Sequence, residues 1–156
     1  QKLEVHDYDK VSSYLRRLNA LNADIGIDPD TISARLAMHA GEDKTTEHAS
    51  PVPGWKAIKN DVALGHLRKT MAHDAVALLR LRRWLDEAIP KGVTEAEVAH
   101  KLTALRAEYK PYVTDSFPAI VGYAGNGAII HYRAPEEGSA TLQAGGLLLL
   151  DSGGQY

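Results

Sequence analysis

The chain has 156 residues, of which 44% are hydrophobic, and its formal net charge is −2 at pH 7. This length and composition suit one globular domain or part of a larger one, and the small net charge gives no electrostatic footprint for binding nucleic acid. No apolar run is long enough to span a membrane, and the lack of cysteine excludes disulfides, thiolate metal sites and cysteine nucleophiles and favours a cytoplasmic protein.

The first third of the chain alternates helical and strand patterns. Apolar residues recur at helical spacing over 7–22 and predict a helix there. The alternating "ADIGID" of residues 23–28 predicts a short strand. A second helix is predicted over 31–40 and ends at Gly41. The polar, proline-containing stretch 42–54 predicts a linker or a seam between domains.

Two amphipathic helices are predicted next. The longer covers 60–89 and ends at the "PKG" that follows it, and the second begins at the capping-box pattern "TEAE", Thr94 to Glu97. Their spacing predicts two buried faces, formed by Leu64, Leu67, Met71, Ala75, Leu78, Leu85 and Ile89 in the first helix and by Val98, Leu102, Leu105 and Tyr109 in the second.

Beyond Pro111 the pattern changes to short strands. "SFPAIVGY", "GAIIHY" and "GLLLLD" predict strands near 119–123, 128–132 and 147–151, and Asn126-Gly127 predicts a hairpin turn between the first two. Two long helices followed by a sheet that has only begun predict an α+β fold. We expect the helices to pack on this partly formed sheet and the chain to be incomplete.

Two polar residues end predicted apolar strands. Asp151 follows four leucines, where a carboxylate either forms an Asx-type turn with the glycines after it or binds a hard divalent cation such as manganese. The residues alone favour the turn. His131 is either a core histidine bonded to a backbone carbonyl or a side chain that faces a cleft as an acid, base or oxyanion donor.

Two segments together resemble a known family. "SFPAIVGYAGNGAIIHY" and, twenty residues after His131, "LLLLDSGGQY" resemble the catalytic domain of the Xaa-Pro aminopeptidases, also called aminopeptidase P. The spacing is closest to the large cytosolic type. The resemblance implies that 54–156 is the incomplete N-terminal part of a pita-bread catalytic domain. Residues 1–53 would then be the end of an α/β middle domain of the creatinase N-terminal type.

The same resemblance implies a metal site. The family holds two divalent ions, usually manganese, with two aspartates, one histidine and two glutamates. Asp151 matches the first aspartate ligand, His131 matches a catalytic histidine that also binds the substrate, and Phe117 matches a wall of the substrate pocket. The other ligands are expected downstream of Tyr156, so this chain alone is expected to be inactive and to hold no ion stably.

The expected activity is hydrolysis of the bond between an N-terminal residue and a following proline. Prolidase, which cleaves Xaa-Pro dipeptides, and a peptide-binding module without catalysis are the alternatives. The expected partners are peptides with proline at the second position, with neither nucleic acid nor membrane involved. A homodimer is expected for the complete protein, and association or aggregation for this chain alone.

Overall fold

The computed structural model describes residues 4–41, 43 and 45–156. The chain forms two compact units, which meet in sequence between Lys59 and Asn60. Helices and short strands occur in both units, as the predicted α+β class requires.

In the described residues of the first unit there are three α-helices and two strands. In chain order these are α1 (Val11–Ala20), β1 (Ile25–Ile27), α2 (Ala34–Ala40), β2 (Thr45–Glu47) and α3 (Val52–Ala57). The two strands form a parallel pair, and the two longer helices pack against each other. The helices and the strand predicted over residues 7–40 are therefore confirmed, with shorter bounds.

The predicted linker over 42–54 is wrong where the structure describes it. Thr45 pairs with Ile25 in the parallel ladder, and α3 begins within the same stretch; Glu42 and Lys44 lie outside the described residues. The backbone amide of Ser50 also donates to the Asp28 carboxylate over 2.8 Å. These polar residues are ordered through backbone pairing, which composition does not reveal.

The second unit begins with two helices whose first turns are capped. The Asn60 side chain accepts a hydrogen bond from the amide of Ala63 at the start of α4 (Asp61–Ala88). α5 (Glu95–Ala107) begins with the predicted capping box, because the Thr94 hydroxyl accepts from the Glu97 amide while the Glu97 carboxylate accepts from the Thr94 amide. The sequence signals for both helix starts are confirmed.

The core of this unit lies between α5 and only the C-terminal half of α4. The predicted face of α5 is buried at Val98, Leu102 and Leu105. On α4 the buried side chains are Ala77, Leu81, Leu85 and Ala88, whereas Leu67, Met71 and Leu78 of the predicted stripe are exposed. α4 has 28 residues and α5 has 13, which gives lengths of about 42 and about 20 Å. The shorter helix cannot cover the longer one.

Four short strands complete the unit as two antiparallel pairs. β3 (Thr114–Asp115) pairs with β6 (Gly154–Gln155), and β4 (Ile120–Tyr123) pairs with β5 (Leu148–Asp151). Val121 in β4 is fully buried, and Leu148 and Leu150 in β5 pack against the core formed by the helices. The strands expected near 119–123 and 147–151 are confirmed.

The third expected strand, at 128–132, is wrong, and so is the hairpin at Asn126-Gly127. Residues Ala124–Ala128 form a 3-10 turn, and His131 has a left-handed backbone with φ of +56°. The turn folds back on β4 so closely that a Cβ on Gly122 would lie 2.8 Å from the Gly127 Cα. β4 takes β5 as its partner instead, across a longer loop.

Candidate functional site

Asp151 is the last residue of β5 and is exposed. It stands opposite Ile120 in the antiparallel ladder. Among the described residues its carboxylate has no hydrogen-bond or ion-pair partner, so the Asx-type turn is not formed. Its two oxygens remain free to bind a cation.

Every residue after Asp151 is held in place. The Ser152 hydroxyl accepts a hydrogen bond from Arg106 Nη2 over 3.1 Å, and the Gly153 carbonyl accepts from the Ser116 amide over 2.9 Å. β6 follows in the ladder with β3, and the Tyr156 hydroxyl donates to Asp74 Oδ1 over 2.5 Å. The "DSGGQY" segment therefore presents its aspartate from a fixed backbone.

Arg106 is the centre of a buried charge cluster beneath this segment. It is 2% exposed, and its Nε donates to Asp74 Oδ1 over 2.8 Å. Its Nη1 lies 3.6 Å from Asp115 Oδ1, which also accepts a hydrogen bond from the Tyr112 hydroxyl. The cluster pairs one guanidinium with two carboxylates, as a buried charge requires.

The cluster fixes the protonation states of its members. Burial raises the pKa of Asp74, but hydrogen bonds from Arg106 and Tyr156 outweigh that effect and hold the pKa below its ordinary value. Burial, followed by the hydrogen bond to Asp74, raises the pKa of Tyr156 to about 12. Near neutral pH Asp74 is ionised and Tyr156 keeps its proton, so the bond between them persists.

His131 is exposed and lies in the irregular loop after the 3-10 turn. Its imidazole has no partner among the described residues, which rules out the core histidine bonded to a carbonyl in this structure. The amide of the next residue, Tyr132, donates to the Ile129 carbonyl over 3.2 Å. The side chain thus projects from a tight turn rather than from the end of a strand.

Phe117 lies beside the "DSGGQY" segment. Its ring is 3.7 Å from where a Cβ on Gly153 would stand, and it is 39% exposed. It lines an open groove of about 610 Å³ together with His100, Thr103 and Arg133. Phe117 and the Asp151 turn are therefore neighbours, whereas no described hydrogen bond or ring contact joins His131 to either of them.

The sequence did not point to the two charged residues that α5 buries. Glu95 is fully buried and accepts hydrogen bonds from the loop that carries His131, while Arg106 binds the turn after Asp151. The helical spacing of the sequence could have revealed them, because it places Glu95 and Arg106 on the same apolar face as Val98 and Leu102. A charge on a buried helical face needs a specific partner.

The donor set fits one metal ligand and not a complete centre. No group of three or more histidine, aspartate or glutamate side chains that could hold an ion occurs within the described part of the chain. The free carboxylate of Asp151 has the oxygen donors that a hard divalent cation prefers. A site with two ions needs further ligands.

Comparison with known families gives a match over most of the second unit. Residues 65–156 match metallopeptidase family M24, and residues 1–63 match the creatinase/prolidase N-terminal domain. The chain belongs to metallopeptidase family M24. The α+β fold with the start of a pita-bread domain, expected from the resemblance, is confirmed by the solved structures of the family.

Relatives of this M24 chain are named as Xaa-Pro aminopeptidases. The chain is 39% identical to the "Probable Xaa-Pro aminopeptidase P" of Arthroderma otae over 127 residues, 80% of this chain and 20% of that protein. It is 34% identical to Xaa-Pro aminopeptidase 1 of Dictyostelium discoideum over 159 residues, 99% of this chain and 25% of that protein. The chain thus spans a quarter or less of the length of these relatives.

Two solved structures show the same fold. The X-prolyl aminopeptidase of Caenorhabditis elegans, described as a cytosolic enzyme with a di-nuclear active site, aligns with a TM-score of 0.85 at 30% identity, over 98% of this chain and 26% of its own. The prolidase of Pyrococcus furiosus aligns with a TM-score of 0.71 at 19% identity, over 99% of this chain and 46% of its own. Among the described residues of the M24 chain, no helix is both long and apolar enough to cross a membrane.

Proposed function

We propose that the protein containing this chain is a metal-dependent Xaa-Pro aminopeptidase that releases an N-terminal residue preceding proline. The main support is the likeness to the C. elegans enzyme over nearly the whole chain, together with a free carboxylate at Asp151. Its partners would be peptides with proline at the second position. The cytosolic description of the same neighbour supports a cytoplasmic location.

Each candidate residue has a role that its surroundings allow. Asp151 would hold a divalent cation, for which we propose manganese, and the other ligands would come from outside this chain. Two such ions, when bound, supply Lewis acidity and activate water. His131 would donate a hydrogen bond to the oxygen that becomes negative as the scissile carbonyl is attacked. Phe117 would form an apolar wall for the substrate.

The test uses the full-length protein and two matched pairs of variants. Asp151→Asn removes a ligand charge and is expected to lower bound manganese together with the rate, whereas Asp86→Asn, at an exposed aspartate of α4, changes neither. His131→Ala is expected to keep the metal and to lower kcat by roughly two to three orders of magnitude, whereas the exposed His66→Ala has little effect. Full metal content and rate in Asp151→Asn would disprove the ligand assignment.

Substrate length separates this proposal from its alternatives. An Xaa-Pro aminopeptidase cleaves an Xaa-Pro-Yaa tripeptide, and a prolidase prefers the Xaa-Pro dipeptide. A peptide-binding module would bind both without cleaving either and would lack bound metal. The isolated chain of 156 residues is expected to be inactive, since it offers one ligand of the several that a site with two ions needs. Manganese-dependent turnover by this chain would contradict that expectation.

The proposal extends to assembly. We expect the complete protein to be a homodimer and the isolated chain to associate, because apolar side chains that would be buried in a complete fold are exposed. These lie on α4 and β5 and the residue before it: Val62, Leu67, Met71, Val76, Leu79, Leu147 and Leu149. Sedimentation at increasing concentration should show growing species. A stable monomer throughout would contradict this expectation.

A further inference from the structure

Glu95 is a buried carboxylate that the proposed reaction does not use. It is the first residue of α5 and its exposed fraction is 0%. One oxygen, Oε1, accepts hydrogen bonds from the Tyr123 amide over 2.6 Å and from the Asn126 side chain over 3.0 Å. The other, Oε2, accepts from the Tyr132 hydroxyl over 2.7 Å and from the Ala140 amide over 3.2 Å.

These donors bracket the loop that contains His131. Tyr123 and Asn126 precede the histidine, Tyr132 follows it directly, and Ala140 lies farther along the same loop. Between Asn126 and Tyr132 the backbone is closed by two further bonds, from the Ile129 amide to the Asn126 carbonyl and from the Tyr132 amide to the Ile129 carbonyl. Only a short, tightly turned stretch around His131 is left between the two anchored side chains.

The position of the imidazole therefore depends on this anchor. His131 has no side-chain partner among the described residues, and its left-handed φ of +56° is a conformation that a histidine adopts at a cost. Such a conformation persists only where the surroundings enforce it. The hydrogen bonds that enforce it here converge on Glu95.

Only a carboxylate satisfies this arrangement. Each oxygen faces a backbone amide, Tyr123 on one side and Ala140 on the other, and an amide hydrogen cannot accept. A glutamine in either orientation would turn its own NH₂ toward one of these amides. These hydrogen bonds also outweigh burial, which by itself raises the pKa of Glu95, and hold that pKa below its ordinary value.

We propose that Glu95 is the positioning residue for His131, acting through Tyr132 and Asn126. The inference rests on the proposed role of His131 in catalysis. Both carboxylate oxygens of Glu95 are occupied by hydrogen bonds from the protein, so Glu95 acts through the side chains that it holds. It sets where the imidazole stands relative to the reacting carbonyl, and a misplacement of about 1 Å in such a group costs on the order of 10²-fold in rate.

The first experiment measures catalytic coupling in the full-length protein. Tyr132→Phe removes one anchoring hydroxyl and is expected to lower kcat roughly tenfold, and Glu95→Gln roughly a hundredfold, with metal content unchanged. In the His131→Ala background both effects are expected to disappear, because the group being positioned is gone. The proposal would be overturned if Tyr132→Phe and Glu95→Gln lowered kcat by the same factors in the His131→Ala background as in the parent protein. The matched control is Glu87→Gln, at an exposed glutamate of α4 that has no hydrogen bond to the loop.

The second experiment does not depend on activity. Hydrogen–deuterium exchange should accelerate in peptides covering 124–133 for Tyr132→Phe and Glu95→Gln, and not for Glu87→Gln. Unchanged exchange in both test variants would overturn the proposal. If the full-length protein cleaves no Xaa-Pro peptide while exchange changes as expected, the proposed function fails and the anchoring of the loop by Glu95 stands.

Discussion

Two side chains of α5 hold the two stretches that carry candidate functional residues. Glu95, at its first turn, binds the loop around His131, and Arg106, at its last turn, binds Ser152 beside Asp151. Both side chains are buried and charged, and both bind groups distant in sequence. Among the described residues, Nη1 of Arg106 has no hydrogen-bond partner and faces Asp115 Oδ1 over 3.6 Å. We infer that these two buried charges fix geometry that apolar packing would leave unspecified.

Arg106→Ala is expected to destabilise the protein strongly. The substitution leaves the partly buried Asp74 and Asp115 without their cation. Breaking a fully buried pair costs about 3–5 kcal/mol of unfolding free energy, and the partial exposure of the two carboxylates places the expected loss at the lower end of that range. Urea denaturation measures the loss, and an unchanged m-value would show that the substitution alters stability alone. Arg80→Ala is the matched control, since the pair of Arg80 with Glu108 is exposed and contributes little. Equal losses in the two variants would contradict the structural assignment.

The helices of the second unit carry their own start signals, and the strands do not. The side chains of Asn60 and Thr94 cap α4 and α5 through bonds to residues three positions away. β4, in contrast, finds its partner in β5 beyond a loop of 24 residues, from 124 to 147. Local bonds are visible in the sequence, whereas the pairing of distant strands depends on how the whole unit closes.

Thr94→Ala is expected to lower the unfolding free energy by about 1 kcal/mol, because it removes the hydroxyl that accepts from the Glu97 amide. Thermal or urea unfolding of the full chain measures the loss. Thr94→Ser keeps a hydroxyl at the same position and should recover most of the stability. If the serine variant is as unstable as the alanine variant, the capping bond is not the cause.

At the scale of the whole molecule, burial is uneven. The core between α4 and α5 is well covered, while the N-terminal half of α4 exposes large apolar side chains. The relatives named as Xaa-Pro aminopeptidases are at least about four times longer than the part this chain matches. The core around α5 is the part of the second unit that this chain buries by itself.

The stability of that core is expected to fall in acid. The pKa of Glu95 in the folded state lies below its ordinary value of 4.5, so the ionised form stabilises the fold above that pH. This contribution is lost as the pH falls below 4.5 and passes through the lower pKa of the folded state. The pKa of Asp74 is likewise lowered from its ordinary value of 3.8, so its stabilising contribution is also lost in acid.

Urea unfolding between about pH 7 and about pH 3 tests the expectation. Glu95→Gln should be less stable than the parent near neutral pH, and its stability should depend less steeply on pH in the acid range. Parallel curves for the two proteins would show that Glu95 does not carry the acid sensitivity.

The sequence by itself determined what depends on neighbours along the chain. The capping box at Thr94, the apolar face of α5 and the family resemblance in "DSGGQY" are local patterns, and the helix starts, the buried face and the family assignment followed from them. The roles of Asp151, His131 and Phe117 remain proposals. The conformation around His131 could not be read from "GAIIHY", because an apolar run with an Asn-Gly pair before it predicts a strand and a hairpin.

Only the tertiary structure decided how the candidate residues are held. The carboxylate of Glu95 accepts from groups 28 to 45 residues away along the chain, and these bonds turn the predicted strand into a loop. Arg106 reaches Ser152 across 46 residues. The position at which α5 packs likewise decided which half of α4 is buried. Hydrogen bonds to a buried charge stabilise this loop more than the local preference for a strand disfavours it. The donors reach that charge only once the helices and strands have packed together.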